Sequence, residues 1–234
     1  MRDIKIKIDG QAVIAQYGQT ILEAATNNGI YIPTLCHYKD LNPQASCRIC
    51  SVMVNGRPTT ACTTPVAPGM EIENDTPEIN ELRKTIVETM FVKGNHFCPS
   101  CEKSGNCELQ ALAYRFKMDV PRFEYSFNRK KVEAANNKIM IDHERCIKCK
   151  RCARSIKTED GRNFFAFANR AQDIRIQFNS DMENELTDEL LDKAVEVCPV
   201  GAIIKKGQGF IEPIGTRKYD NEPIGSDIEK RKEV

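Results

Sequence analysis

Isoleucine alternates with charge at the start of the chain: Ile4, Ile6 and Ile8 flank Lys5 and Lys7, and this period of two predicts a strand with one buried face. Asp9-Gly10 is a two-residue hairpin signal. Thr20 with Glu23 predicts a helix start with a capping box, and Gly29 marks its end. A loop follows from Pro33 to Ser46, and "CSVMVNGRPTTAC" then reads as a second hairpin about Asn55-Gly56. Strand, hairpin, helix and strand in this order predict a β-grasp unit over residues 1–75.

Thr76 is an N-cap with Pro77 at the first helical position, and Ile79, Leu82, Ile86, Met90 and Phe91 recur at helical spacing up to Gly94. "CELQALAYRFKM" predicts a second helix, giving a short helical module over 76–119. Residues 120–137 are polar and aperiodic, a connector. Ile139 to Ile141, "FFAFA", "IRIQF" and "GAIIKKG" are strand-like. Thr187 caps a helix with Leu190, Leu191, Ala194 and Val197 on one side, which stops at Cys198-Pro199. Residues 138–207 thus form a mixed unit, and the whole chain is predicted to be α+β. The tail, 208–234, repeats EPIG and has little periodicity, yet keeps Phe210, Ile211, Ile214, Tyr219 and Ile224. It is expected to extend along a partner.

The chain has 234 residues, and its 34 Lys plus Arg against 33 Asp plus Glu leave a formal charge of +1. No strong field toward nucleic acid or anionic lipid follows from that balance. The N-terminus lacks a signal-peptide pattern, and no apolar run approaches the roughly 20 residues of a membrane helix. A cytoplasmic protein without a membrane span is expected. Tryptophan is absent and 41% of residues are hydrophobic, so the core is ordinary or thin and something else helps to hold small units together. The eleven cysteines supply a candidate. In a reducing compartment, clustered cysteines are metal ligands before they are disulfides.

They fall into three groups. Cys36, Cys47, Cys50 and Cys62 combine one CxxC with two more distant thiols. Plant-type ferredoxins hold a [2Fe–2S] cluster with a close triplet and one distant cysteine, and a long loop here can wrap such a cluster. A four-cysteine zinc site is the alternative, and with it a zinc-stabilised interaction protein without a redox role; zinc sites more often pair two CxxC knuckles, and this group has one. Cys98, Cys101 and Cys107 form a second group with no fourth cysteine nearby. His96 is its candidate fourth ligand, because a neutral imidazole can replace a thiolate on iron. His37 and His143 also adjoin cysteines, so proximity alone decides little and a surface histidine is the other reading.

Cys146, Cys149 and Cys152 follow the spacing of a bacterial ferredoxin loop, C-x2-C-x2-C-x3-C-P, but Ile156 and Lys157 stand where the last cysteine and proline belong. Cys198-Pro199 supplies the missing pair. The reading is one [2Fe–2S] and two [4Fe–4S] clusters, using all eleven cysteines and His96. Arg145, Lys148, Lys150, Arg151 and Arg154 either offset the charge of the third cluster or form a solvated basic loop. No G-x-G-x-x-G after a strand, P-loop, nucleophile elbow or HExxH is present. Neither a catalytic residue nor an NAD or FMN site is expected in this chain.

These three motifs, in this order, resemble the N-terminal iron–sulfur region of the large peripheral-arm subunit of respiratory complex I, a region that also opens certain [FeFe] hydrogenases and NAD-linked formate dehydrogenases. In complex I relatives three residues commonly separate the histidine from the first cysteine of the second group; here Phe97 alone does. As a short chain it most resembles the gamma, or small diaphorase, subunit family of soluble NAD-reducing [NiFe] hydrogenases. That resemblance implies an oxidoreductase complex: a flavoprotein partner with FMN and the NAD site, and large and small hydrogenase subunits with the Ni–Fe site. It implies that this chain relays electrons between them. The equivalent subunit of a formate dehydrogenase or complex I-like dehydrogenase is the alternative within the same class.

Overall fold

The computed structural model describes residues 3–127 and 130–230. Residues 1–2 of the expected β-grasp unit, 128–129 of the connector and 231–234 of the tail lie outside the described residues.

β1 (Asp3–Ile8) buries every second residue and pairs antiparallel with β2 (Gln11–Gln16). Asp9 and Gly10 between them take φ of 49° and 76°, the twist a two-residue hairpin needs. α1 (Ile21–Asn27) carries the full capping box: Glu23 N–H donates to the Thr20 hydroxyl at 3.2 Å, and the Glu23 carboxylate accepts from Thr20 N–H at 2.7 Å. β3 (Ser51–Val54) and β4 (Arg57–Thr60) form the second hairpin about Asn55-Gly56. A strand that the pattern did not announce, β5 (Glu71–Glu73), lies parallel to β1 and antiparallel to β3 and closes the sheet in the order β2-β1-β5-β3-β4. It holds a single inward residue, Ile72, too little for periodicity. Ile4, Ile6, Ile8, Ile21, Val52 and Ile72 share one core with Cys50 and Cys62.

α2 (Pro77–Lys93) starts at Thr76 as expected, but its inward face differs from the apolar spacing. Ile79, Arg83, Val87, Glu88 and Val92 are buried, while Leu82 is exposed. The cause is polar. Arg83 donates to the carbonyls of Asn74 at 2.9 Å and Ser51 at 2.8 Å, and so staples the helix to the end of β3.

α3 (Glu108–Arg115) follows, then β6 (Val132–Glu133), β7 (Ile139–Asp142) and α4 (Arg151–Ser155). β8 (Phe165–Ala168) and β9 (Arg175–Phe178) pair as a hairpin, and α5 (Asp188–Val197) leads to β10 (Ile203–Lys205), which joins β7 and β6 in a three-stranded sheet. Val87, Leu109, Leu112, Ile141, Phe164 and Leu191 belong to one continuous core, which also takes in Leu35 and Ile49 from the N-terminal unit. The helical and ferredoxin-like parts therefore share a core.

The tail is also held on this chain. Arg217 donates to Ser104 O at 3.0 Å, Tyr219 N–H to Gly105 O at 2.9 Å, and Arg115 to Ile224 O at 2.8 Å. α6 (Ser226–Glu229) ends this strap. Gly225 sits so close to Tyr31 that a Cβ there would lie 2.4 Å from the ring. Of the apolar tail residues, Ile224 is buried on this chain, and Phe210, Ile211 and Ile214 are exposed.

Candidate metal centres

The first group is built on the edge of the β-grasp core. Cys36 follows buried Leu35, Cys47 and Cys50 lie just ahead of β3, and Cys62 returns after β4. The Cys36 and Cys47 thiols touch, as do those of Cys50 and Cys62. A hydrogen bond from Cys47 draws the Cys36 thiol down, and the same contact, with burial, pushes Cys47 up. Backbone N–H groups point at these sulfurs: Ser46 and Cys47 at Cys36, Leu35 and Ile49 at Cys47, Ala45 at Cys62.

In the second group, Cys98 opens a single 3-10 turn, and Cys107 is the N-cap of α3, its sulfur accepting from Gln110 N–H at 3.4 Å. His96 packs on Phe91 with ring centroids 5.2 Å apart. His96, Cys98, Cys101 and Cys107 line one small cavity, with Arg145 and Gly201 closing it. A Cβ on Gly201 would lie 2.4 Å from Cys101 Sγ, so only glycine lets the backbone ahead of β10 come this near the thiol. Burial, with nearby Arg145, lowers the His96 pKa to about 4, which keeps the imidazole neutral, the form that binds metal. Burial pushes the Cys107 thiol up to about 12, so in this apolar setting a cation must displace its proton.

The third group brings together residues distant in sequence. Cys146, Cys149 and Cys152 lie on the loop from β7 into α4, and Cys198 is the C-cap of α5. Burial raises the Cys149 and Cys152 thiols, and Cys198 is the next largest influence on both, placing it among them. Ile156, at the vacant ferredoxin position, is fully buried in the core. Lys148 and Lys150 take left-handed φ of 58° and 65° within this loop, as Arg48 does at 61° between Cys47 and Cys50. Such alternations turn successive N–H groups inward and make anion-binding nests of the kind iron–sulfur sites use. N–H groups of Lys148, Arg151 and Ala153 donate to Cys146, Cys149 and Cys152. Among the described residues, no three His, Cys, Asp or Glu side chains converge as the ligands of a single ion do. The N–H cradles and the close glycine approach fit an anionic inorganic cluster.

The five basic residues of the third loop separate in the structure. Arg145 lies 3.0 Å from the Asp142 carboxylate, and Arg154 reaches Asn42 O at 2.5 Å. Arg151 is 2% exposed and grips both Glu108 oxygens, at 2.7 and 2.8 Å. Its guanidinium also lies 5.5 Å from the Tyr38 ring centroid. Glu108 adjoins Cys107, Tyr38 is two residues past Cys36, and Arg151 stands between Cys149 and Cys152, so the three cysteine loops meet at this ion pair. Sequence reading missed Glu108, Tyr38 and Gly201; the one signal was a charged residue directly beside a candidate ligand.

This architecture defines an α+β iron–sulfur protein of the electron-transfer class. Three family models match in register with it: a 2Fe-2S iron-sulfur cluster binding domain over residues 1–77, the NADH-ubiquinone oxidoreductase-G iron-sulfur binding region over 83–122, and the ferredoxin-like domain of NADH-quinone oxidoreductase subunit 3 over 136–204. The chain is 43% identical over 222 residues to the gamma subunit of the NAD-reducing hydrogenase HoxS of Cupriavidus necator, covering 94% of this chain and 95% of that one. It belongs to the family of gamma subunits of NAD-reducing hydrogenases. A crystal structure of an NAD+-reducing [NiFe]-hydrogenase in the H2-reduced state contains a chain that superposes with a TM-score of 0.86 at 35% identity, with 94% of each chain covered. The alpha subunit of the NADPH-Fe(3+) oxidoreductase of Geobacter sulfurreducens (33% identical) and the mitochondrial 78 kDa subunit of the NADH-ubiquinone oxidoreductase of Neurospora crassa (31% identical) match 87% and 89% of this chain, which spans 24% and 28% of their lengths. The chain is thus an iron–sulfur protein with 2Fe-2S and 4Fe-4S binding regions, in a family whose members work within an oxidoreductase complex. No helix among the described residues is long and apolar enough to cross a membrane.

Proposed function

We propose that this chain is the iron–sulfur relay of an NAD-reducing hydrogenase, carrying electrons between an FMN- and NAD-binding flavoprotein subunit and the large and small subunits of a [NiFe] hydrogenase in the cytoplasm. The observation that carries this reading is the end-to-end match to the gamma subunit, 94% of one chain on 95% of the other. The larger complex I-like relatives support the alternative less, at 30% to 34% identity against 43%.

We assign Cys36, Cys47, Cys50 and Cys62 to one [2Fe–2S] cluster, His96, Cys98, Cys101 and Cys107 to one [4Fe–4S] cluster, and Cys146, Cys149, Cys152 and Cys198 to another, within units 1–75, 76–119 and 138–207. Bound there, the clusters supply one-electron carriers. The chain's own residues hold them apart from water: only Cys47, Cys98 and Cys146 among the cysteines are partly exposed, the rest being buried, and the cradling N–H groups offset negative charge. Anaerobic purification from the source organism should recover the chain with flavin- and nickel-containing subunits and with acid-labile sulfide. Recovery of zinc without sulfide, or of a formate dehydrogenase instead, would reject the reading.

The ligand assignment makes its own prediction. His96→Ala is expected to lose or degrade one [4Fe–4S] signal and to spare the other two clusters, and His96→Cys to restore it at lower potential, because a thiolate replaces a neutral ligand. Electron paramagnetic resonance of the reduced protein reads both. Three unchanged cluster signals in His96→Ala would exclude ligation.

A further inference from the structure

An open cavity of about 580 Å³ is lined by residues from all three cysteine groups. Its wall takes one proposed ligand from each group: Cys47, His96 and Cys146. The floor is apolar, from Ile86, Met90 and Ile147. Around it stand Arg48, Lys93, Lys130 and Lys148, and no carboxylate lines the cavity. Among the described residues none of these four cations forms an ion pair, although twelve other ion pairs are distributed over the chain.

Four cations without an ion pair about one apolar hollow raise the positive potential there and attract negative charge; beside the cavity, Asp173 already acts on Lys148 and the Glu144 carboxylate accepts from Lys130 N–H. Part of that charge can come from the clusters. Two observations say it is not all. Lys93 belongs to the last turn of α2, outside every cysteine loop, and both Lys93 and Arg48 are exposed rather than turned into the core. An apolar floor with a charged rim is also the anatomy of a protein interface.

We propose that this cavity is the docking seat for an acidic segment of a partner subunit, apolar side chains on the Ile86–Met90–Ile147 floor and carboxylates on the four cations. A carrier seated there faces all three groups at once, which suits a relay. The inference rests on the functional reading above, in that it requires a partner; it adds where the partner sits and what chemistry recognises it.

The test uses the intact complex and the isolated full chain. Carbodiimide treatment, which joins an amine to a carboxylate in contact with it, should recover peptides linking Lys93, Lys130 or Lys148 to Asp or Glu of a partner. Acetylation of Lys93 and Lys148 should fall several-fold in the complex relative to the isolated chain. Lys93→Glu should reduce partner recovery several-fold at unchanged iron content, while Lys5→Glu, on β1 and outside the cavity, should leave recovery unchanged. A complex that forms normally, with these lysines labelled equally in both states and linked only within the chain, overturns the proposal while leaving the relay function intact. If Lys93→Glu loses iron, linking and labelling in the native protein decide. Failure to recover any partner would instead overturn the function.

Discussion

Removing iron will unfold the helical and ferredoxin-like parts of the chain and leave the β-grasp sheet standing. The two regions differ in what holds them. The N-terminal unit has a five-stranded sheet and its own core of Ile4, Ile6, Ile8, Val13, Ile21, Val52 and Ile72. Three or more strands with a packed face are what a sheet needs to stand on its own, and this unit has both. Beyond residue 94, against eight residues in α3 and ten in α5, several of the elements near the cysteines are very short: a three-residue turn at Cys98–Ser100, the five-residue α4 and the three-residue β10. Segments of that length do not persist alone, because helix nucleation and short-strand pairing fix more dihedrals than their hydrogen bonds stabilise. Candidate ligands stand at the ends of the turn (Cys98 and Cys101), of α3 (Cys107) and of α5 (Cys198), and binding energy at such sites is folding energy. Hydrogen exchange after anaerobic chelation should therefore show protection kept over residues 3–16 and lost over 98–115 and 146–155. Equal protection of both regions before and after chelation would refute the dependence.

What could be read from the sequence followed from repetition and local chemistry. β1 declared itself through three alternating isoleucines, α1 through a complete capping box, and α5 through Leu191, Ala194 and Val197 on one face. The third cysteine group was legible because Cys198-Pro199 keeps a local signature although it lies 46 residues from Cys152. Elements without local repetition were hidden. β5 presents one inward side chain, and the buried stripe of α2 is set by Arg83 seeking carbonyls of Asn74 and Ser51, which spacing of apolar residues cannot express. The tail's hold on this chain was hidden from the sequence because much of it is polar and made with backbone groups, at Ser104, Gly105 and Ile224. The Arg151–Glu108 pair spans 43 residues between two loops, and neither partner differs in sequence from a solvated surface charge.

That pair carries the other large expected effect. Arg151 is buried and Glu108 is 22% exposed at its side chain, so removing the carboxylate strands a cation among Cys149, Cys198 and Val197. Breaking such a pair from one side costs about 3–5 kcal/mol, whereas replacing both partners with apolar groups of similar volume is often neutral or better. Glu108→Ala should therefore destabilise the iron-loaded protein by about 3 kcal/mol or more, since partial exposure of the carboxylate places it at the lower end of that range. Arg151→Met leaves a carboxylate with some access to water and should cost less. Glu108→Leu combined with Arg151→Met should recover most of the loss, giving a favourable coupling in a double-mutant cycle. The charge has a redox consequence as well. Arg151 lies within the third cysteine loop, and its removal takes positive charge away from that site, so the [4Fe–4S] cluster assigned there should become harder to reduce, its potential moving down relative to the other two. Anaerobic denaturant titration and potentiometry followed by electron paramagnetic resonance measure the two effects separately. Single variants within about 0.5 kcal/mol of the parent, the range of ordinary surface changes, would show that the three loops are not held together here. An unmoved potential in Arg151→Met would show that the charge serves packing alone.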